Sequence, residues 1–245
     1  MVMNKRHLIT IKGSCSCSMP GVWKAVAHNE GAAVIYHSPK SCGHFTHDLE
    51  LSSYFRLLAR HESVRGQYMA PLVVTGLEEE HSIFGGAEQL RSCIEYTVKQ
   101  HNPRYIVIAN SCVSGIIGDD VQAVAGEAEQ DLQIPILSVP CHGFMDNDYY
   151  AGYYHAGKAM IERFMQTQPT IDKTVTLLGD GNGPEGQIAR EVKTLLQSFG
   201  LEVHCHFPGY ASLDEIQRVP YSACCVILGG RPHPYSSTGR GRRHD

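Results

Sequence analysis

Short runs rich in valine and isoleucine recur along the chain, and longer stretches with apolar residues every three to four positions lie between most of them. Runs of this length and composition predict β-strands that are buried on both faces, as in a parallel sheet. The predicted strands are 32–38, 105–111, 134–140, 174–180, 201–207 and 224–230.

The stretches between the strands have helical spacing. Residues 86–101 carry Leu90, Ile94 and Val98 at intervals of four, and residues 185–200 are strongly amphipathic. Residues 119–132 open with two acidic side chains, which the helix dipole favours. Strands that alternate with helices predict an α/β fold with mostly parallel sheets.

A polar, proline-containing stretch at 165–173 interrupts this alternation. We therefore predict an N-terminal α/β domain at 1–168 and a second domain at 169–245. The second block shows only about three strand signals, whereas doubly wound sheets commonly have about five or six. We expect this second domain to be incomplete.

Composition changes the interpretation of the cysteines. A net charge of −4 gives no general nucleic-acid surface, and no apolar run reaches the roughly 18–20 residues that span a bilayer. Because the N-terminus also lacks the apolar core of a secretory signal, we predict a cytoplasmic protein. Nine cysteines in a reducing compartment indicate metal ligands or catalytic groups rather than disulfides.

Three of these cysteines fall where ligands gather in open α/β sheets, beyond the carboxyl ends of strands. Cys42 follows the first predicted strand, Cys112 follows the second, and Cys141 comes directly after the third. Cys17 lies near the start of the chain. The wide spacing disfavours a zinc site, which usually contains closely spaced cysteine pairs, and suits an iron–sulfur cluster held between elements or chains.

A cysteine at a strand end is also often a small buried apolar residue. We predict that the cysteines within helices and strands belong to the core. These are Cys93, Cys205, Cys224 and Cys225.

Four separated motifs carry a family resemblance. Cys17 with "SMPGVW", then "HSPKSC", "IFGGAEQL" and "NSCVSGIIGDDV" together resemble component 1 of the nitrogenase family, over about residues 13–230. The resemblance implies Rossmann-like domains and an iron–sulfur cluster, either 4Fe–4S or 8Fe–7S, bound by Cys17, Cys42 and Cys112. Such a cluster is shared with a second component 1-type subunit, in a homo- or hetero-oligomer. Cys15 is a possible additional ligand.

The resemblance also implies an oxidoreductase that receives electrons from a separate ATP-dependent iron protein and passes them to a small-molecule substrate. Two departures argue against dinitrogen as that substrate. Gly229 or Gly230 stands where nitrogen-fixing alpha subunits have a cofactor-binding cysteine, and Tyr149 and Tyr153 replace a glutamine and a histidine beside the cofactor. Two alternatives stay open: a cofactor-assembly scaffold of the same family, and a metal-free α/β small-molecule-binding protein. Inactivity of so short a chain, taken alone, also stays open.

Polar residues beside the thiols have structural interpretations as well. Ser111 and Ser114 either donate hydrogen bonds to cluster sulfur or stabilise a turn. Asp119 and Asp120 are predicted to cap a helix. The nearby histidines are expected mainly on the surface, with at most one functional: His37, His44 and His47.

Overall fold

A computed structural model describes residues 17–59, 68–142, 148–179 and 187–228. Cys15 and the Gly229–Gly230 position lie outside the described residues, so the predictions made for them stay predictions. In the part of the chain that is described, no helix is long and apolar enough to cross a membrane.

The first sheet has four parallel strands in the order β2-β1-β3-β4. The strands are β1 (Ala32–His37), β2 (Leu72–Val74), β3 (Tyr105–Ser111) and β4 (Ile136–Cys141). Seven helices accompany them among the described residues: α1 (Met19–Val26), α2 (Lys40–Ala59), α3 (His81–Phe84), α4 (Ala87–His101), α5 (Cys112–Ile117), α6 (Val121–Leu132) and α7 (Tyr149–Phe164).

The second sheet has three parallel strands in the order β6-β5-β7. Its elements are β5 (Ile171–Leu178), α8 (Gln187–Ser198), β6 (Glu202–Phe207), α9 (Leu213–Arg218), a 3₁₀ turn (Val219–Tyr221) and β7 (Ser222–Ile227). The predicted α/β class with parallel sheets is therefore confirmed. The domain division at residue 168 stays a prediction.

Strands β1 and β3 are buried on both faces, which is why they read as continuous apolar runs. On one face, Val34 and Tyr36 join a core that contains α1, α7 and residues from β6 and α9. On the other face, Ala33 and Ile35 pack with α4 and α6. This double packing fixes the carboxyl ends of the strands, where the candidate site lies.

The predicted core positions are right for two cysteines and wrong for two. Cys93 and Cys205 are buried, whereas Cys224 and Cys225 are exposed. The reason is that β7 lies at the edge of the described sheet, with most of its residues exposed. An apolar run does not reveal whether its strand is central or at an edge.

Candidate functional site

The three predicted ligand cysteines lie on one side of the first sheet, which we call the thiol edge (Cys17, Cys42 and Cys112). Cys112 begins α5 immediately after β3, and Cys42 lies in the first turn of α2, after β1. Because parallel strands end on the same side of their sheet, both loops open onto that side. All three thiols are partly exposed.

Helix α1 brings Cys17 to the same side. The hydroxyl of Tyr36, near the carboxyl end of β1, donates a hydrogen bond of 2.7 Å to the carbonyl oxygen of Met19. Tyr36 also accepts a hydrogen bond of 3.2 Å from the hydroxyl of Thr46 on α2. The start of α1, two residues after Cys17, is thereby attached to the end of β1 and to α2.

A close helix contact supports this placement. At Gly21 on α1, an added Cβ would lie 1.8 Å from the carbonyl oxygen of Tyr149. At Gly152 on α7, it would lie 1.9 Å from the carbonyl oxygen of Ser18. Only glycine permits this approach, so α7 packs directly against the residue that follows Cys17.

The electrostatics of the thiols indicate which of them are neighbours. Burial raises the pKa of Cys42, hydrogen bonds from Ser38 and Ser41 oppose this shift, and the charge of Cys112 adds to it. Burial also raises the pKa of Cys141 to about 12, and the charge of Cys17 contributes. The geometry agrees: Cys42 and Cys112 follow strands that pair as far as His37 and Asn110, and Cys17 packs against the core that contains Cys141.

Cys141 itself belongs to the core. It is 2% exposed, and its sulfur lies 3.5 Å from the carbonyl oxygen of Val139. None of the cysteines in the described ranges forms a disulfide. The three thiols of the thiol edge are thus partly exposed, whereas the thiol of Cys141 is fully enclosed in the core.

The serines beside Cys112 stabilise the turn into α5. The hydroxyl of Ser111 caps the helix by accepting from the backbone N–H of Ser114 at 3.3 Å. The hydroxyl of Ser114 donates to the carbonyl oxygen of Ser111 at 2.9 Å and also contacts the side chain of Asn110. These contacts match the turn interpretation of both serines.

The expected surface position holds for two of the three histidines near Cys42 and is wrong for one. His37 is fully buried, whereas His44 and His47 are exposed as predicted. Asp120 caps α6 as predicted, accepting from the N–H of Ala123 at 3.0 Å.

Asp119 does not cap α6. Instead, its Oδ2 lies 2.9 Å from Nε2 of His37. The signal that could have revealed the buried histidine is its place at the end of a strand covered on both faces.

Exposed apolar side chains lie on α3 and α5, on the side of the thiol edge that contains Cys112. Ile83 and Phe84 at the end of α3 are 78% and 85% exposed, and Ile116 on α5 is 76% exposed. Because α3 contacts α5, the helix that begins at Cys112, these three residues form an apolar patch near Cys112. Exposed apolar patches commonly mark protein–protein contacts.

The thiol edge offers three partly exposed cysteine sulfurs as candidate ligands for iron. Among the described residues, no three His, Cys, Asp or Glu side chains converge closely enough to hold one ion. Thiolate donors are the usual ligands of iron–sulfur clusters, which are larger than one ion. Two neighbouring, half-buried thiols and a third on the same side therefore fit part of a cluster ligand set.

The fold and site together define a Rossmann-like α/β protein with three partly exposed thiols near the carboxyl ends of the strands of its first sheet. The family model for nitrogenase component 1 type oxidoreductases matches residues 17–238. The chain therefore belongs to this family, and the predicted membership is confirmed.

Individual relatives agree with this assignment. The chain is 26% identical over 206 residues to the nitrogenase molybdenum-iron protein alpha chain of Methanosarcina barkeri, covering 83% of this chain and 37% of that relative. It is 31% identical over 198 residues to the nitrogenase iron-molybdenum cofactor biosynthesis protein NifE of Clostridium pasteurianum, covering 79% and 40%.

The solved structure of nitrogenase Cp1 at pH 6.5 shares the fold, with a TM-score of 0.66 at 20% identity, over 88% of this chain and 41% of that one. The chain thus spans about two fifths of the length of these relatives.

Proposed function

We propose that this chain is the cluster-binding part of a nitrogenase-like oxidoreductase, in which Cys17, Cys42 and Cys112 ligate an iron–sulfur cluster. The observation that carries the proposal is the thiol edge, where Cys42 and Cys112 follow the carboxyl ends of the neighbouring strands β1 and β3, and Cys17 precedes the helix that is hydrogen-bonded to the end of β1. A bound cluster would supply one-electron transfer. The chain's own residues would hold the cluster and shield its inner side with the core around Cys141.

A second component 1-type subunit would complete the ligand set. The apolar patch of Ile83, Phe84 and Ile116 supports this part of the proposal, because it lies near Cys112 and leaves large side chains exposed. Electrons would arrive from an ATP-dependent iron protein docking near the same edge. The cytoplasmic location predicted from the sequence belongs to this proposal too.

The proposed substrate is a small molecule other than dinitrogen. Tyr149 and Tyr153, which stand where nitrogen-fixing relatives are expected to have a glutamine and a histidine, lie half-buried on α7. Phenol rings in these places would present a different surface to a substrate or second cofactor. This part of the proposal rests on the sequence resemblance rather than on a cavity.

A cofactor-assembly scaffold is the second candidate. It is favoured by the 31% identity to NifE over 79% of the chain. Both candidates need the cluster, but only the reductase must exchange electrons repeatedly with the iron protein.

The deciding experiment mixes the iron-loaded protein with a component 2-type iron protein and follows the cluster's electron paramagnetic resonance signal. If the protein is a reductase, the resonance signal of the cluster should change on addition of ATP and should not change with a non-hydrolysable ATP analogue. An iron-containing protein whose signal never responds to ATP would refute the reductase proposal in favour of the scaffold. A folded protein without iron would support the metal-free binder.

A further inference from the structure

A buried carboxylate–histidine pair joins the two elements that carry Cys42 and Cys112. We propose that His37 and Asp119 are positioning residues that set the separation of these two thiols. The inference rests on the proposed cluster site and adds two residues to its machinery. Neither residue is a proposed ligand; both act through the backbone that presents the thiols.

The pair connects the two thiol-bearing segments directly. His37 is the last residue of β1, which leads within five residues to Cys42. Asp119 follows α5, the helix that begins at Cys112. The contact of 2.9 Å between Nε2 of His37 and Oδ2 of Asp119 therefore spans the gap between the Cys42 loop and the Cys112 helix.

Each partner is anchored by a further hydrogen bond. Nδ1 of His37 lies 3.2 Å from the hydroxyl oxygen of Thr75, and that oxygen also accepts the N–H of Ser38 at 3.1 Å. Oδ1 of Asp119 accepts the N–H of Gly86 at 2.8 Å. The backbone that enters the Cys42 loop and the backbone that leaves the Cys112 helix are thus held by one continuous chain of hydrogen bonds.

The surroundings of the pair are closely packed. The side chain of His37 is 0% exposed and that of Asp119 is 5% exposed. A Cβ added at Gly86 would lie 2.8 Å from Oδ2 of Asp119 and 2.9 Å from Cε1 of His37. A fully enclosed ring in so tight a space is suited to fixing geometry rather than to exchanging protons with solvent.

The test uses metal-free, folded protein, so that it does not depend on iron. A bifunctional thiol reagent cross-links Cys42 to Cys112, and peptide mass spectrometry follows the rate of the second, intramolecular step. The variants are Asp119→Asn and His37→Gln, which nearly preserve side-chain size. If Asp119→Asn fails to fold, the cross-linking rate of His37→Gln alone tests the inference.

The matched control is Asn29→Ala. Asn29 is also fully buried, and its side chain also joins distant segments, donating to the carbonyl oxygen of Pro208 at 2.9 Å and accepting from the N–H of Tyr210 at 2.9 Å. It contacts no residue of the thiol edge in any of these bonds. Its removal should lower stability without changing the cross-linking rate.

We expect both pair variants to slow the intramolecular step roughly tenfold, because a displacement of ~1 Å in a positioned constellation has effects of that order or larger. Rates equal to wild type, or an equal slowing by Asn29→Ala, would overturn the inference. In iron-loaded protein, a chelator should remove iron about tenfold faster from the pair variants than from the control. If the wild-type protein contained no iron, that result would contradict the proposed function but not this inference. The cross-linking rates of the metal-free proteins would still test the role of His37 and Asp119.

Discussion

The contact between α1 and α7 leads to a sharp prediction about Gly152. Substituting alanine there would place a Cβ 1.9 Å from the carbonyl oxygen of Ser18 and 2.7 Å from its carbonyl carbon. Both atoms belong to backbone, so no side chain can rotate away. The helices must separate, and the segment that carries Cys17 must move with α1.

The cost follows from the packing around this contact. Overpacking a dense interior typically costs about 1–3 kcal/mol, and here the clash involves backbone, so the upper part of that range applies. The usual gain of alanine over glycine within a helix is only about 0.5–1 kcal/mol and acts in the opposite direction. We therefore expect Gly152→Ala to lower the free energy of unfolding by about 2 kcal/mol.

The assay is thermal and urea denaturation, with alkylation of Cys17 measured on the folded protein. For a chain of this size about 2–4 °C of Tm corresponds to 1 kcal/mol, so Tm should fall by roughly 4–8 °C. Gly126→Ala is the control, since Gly126 lies within α6 and an added Cβ meets nothing within 4 Å. That variant should keep or slightly raise Tm.

Cys17 should be alkylated faster in Gly152→Ala than in the wild-type protein. In Gly126→Ala, the alkylation rate of Cys17 should equal that of the wild-type protein. Equal stabilities for the two variants would show that the helices do not approach as closely as described. Destabilisation without any change at Cys17 would refute the link between this contact and the thiol edge.

Three further predictions concern titration, a buried hydroxyl and the apolar patch. Burial raises the pKa of Cys93 to about 11, so the folded state keeps a proton that the unfolded state loses above pH ~8.5. The free energy of unfolding measured in urea should therefore fall between about pH 8.5 and 11. The fall should be less steep in Cys93→Ala. Tyr36→Phe removes the hydrogen bond that attaches the first turn of α1 to the end of β1. It should cost about 0.5–1.5 kcal/mol by urea denaturation, with faster alkylation of Cys17; a silent variant would contradict the placement of α1. Phe84→Ser should weaken subunit association in sedimentation experiments, whereas Phe199→Ser, altering a side chain 73% exposed elsewhere, should not; equal effects would refute the patch as the interface.

Much of the fold was predictable because buried parallel strands leave continuous apolar runs. β1 and β3 lie at the positions predicted for them, and α4 and α6 follow the expected helical spacing. β2 was missed because it has only three residues, and its side chains are only partly buried. Helix α7 was also missed, since a cluster of tyrosines is as compatible with a cavity lining as with a helical face.

The site was predictable only as far as strand ends indicate it. The rule that ligands gather beyond carboxyl ends predicts, from sequence alone, that Cys42 and Cys112 are neighbours. It cannot identify the pair of His37 and Asp119, whose members are 82 residues apart and meet only through the packing of β1 against β3. Their contact is a tertiary property that no local pattern encodes.

The central claim, a cluster held by the thiol edge, is tested most directly by iron and acid-labile sulfide per chain in anaerobically purified protein. The comparison includes Cys42→Ala and the control Cys93→Ala, which removes a buried thiol on α4, in the core cluster on the other face of the sheet from the one that Cys17 and Cys42 contact. The account predicts similar amounts of iron and sulfide in wild type and Cys93→Ala, and their loss in Cys42→Ala. Equal iron in all three proteins, or a folded wild type with neither iron nor sulfide, would contradict it.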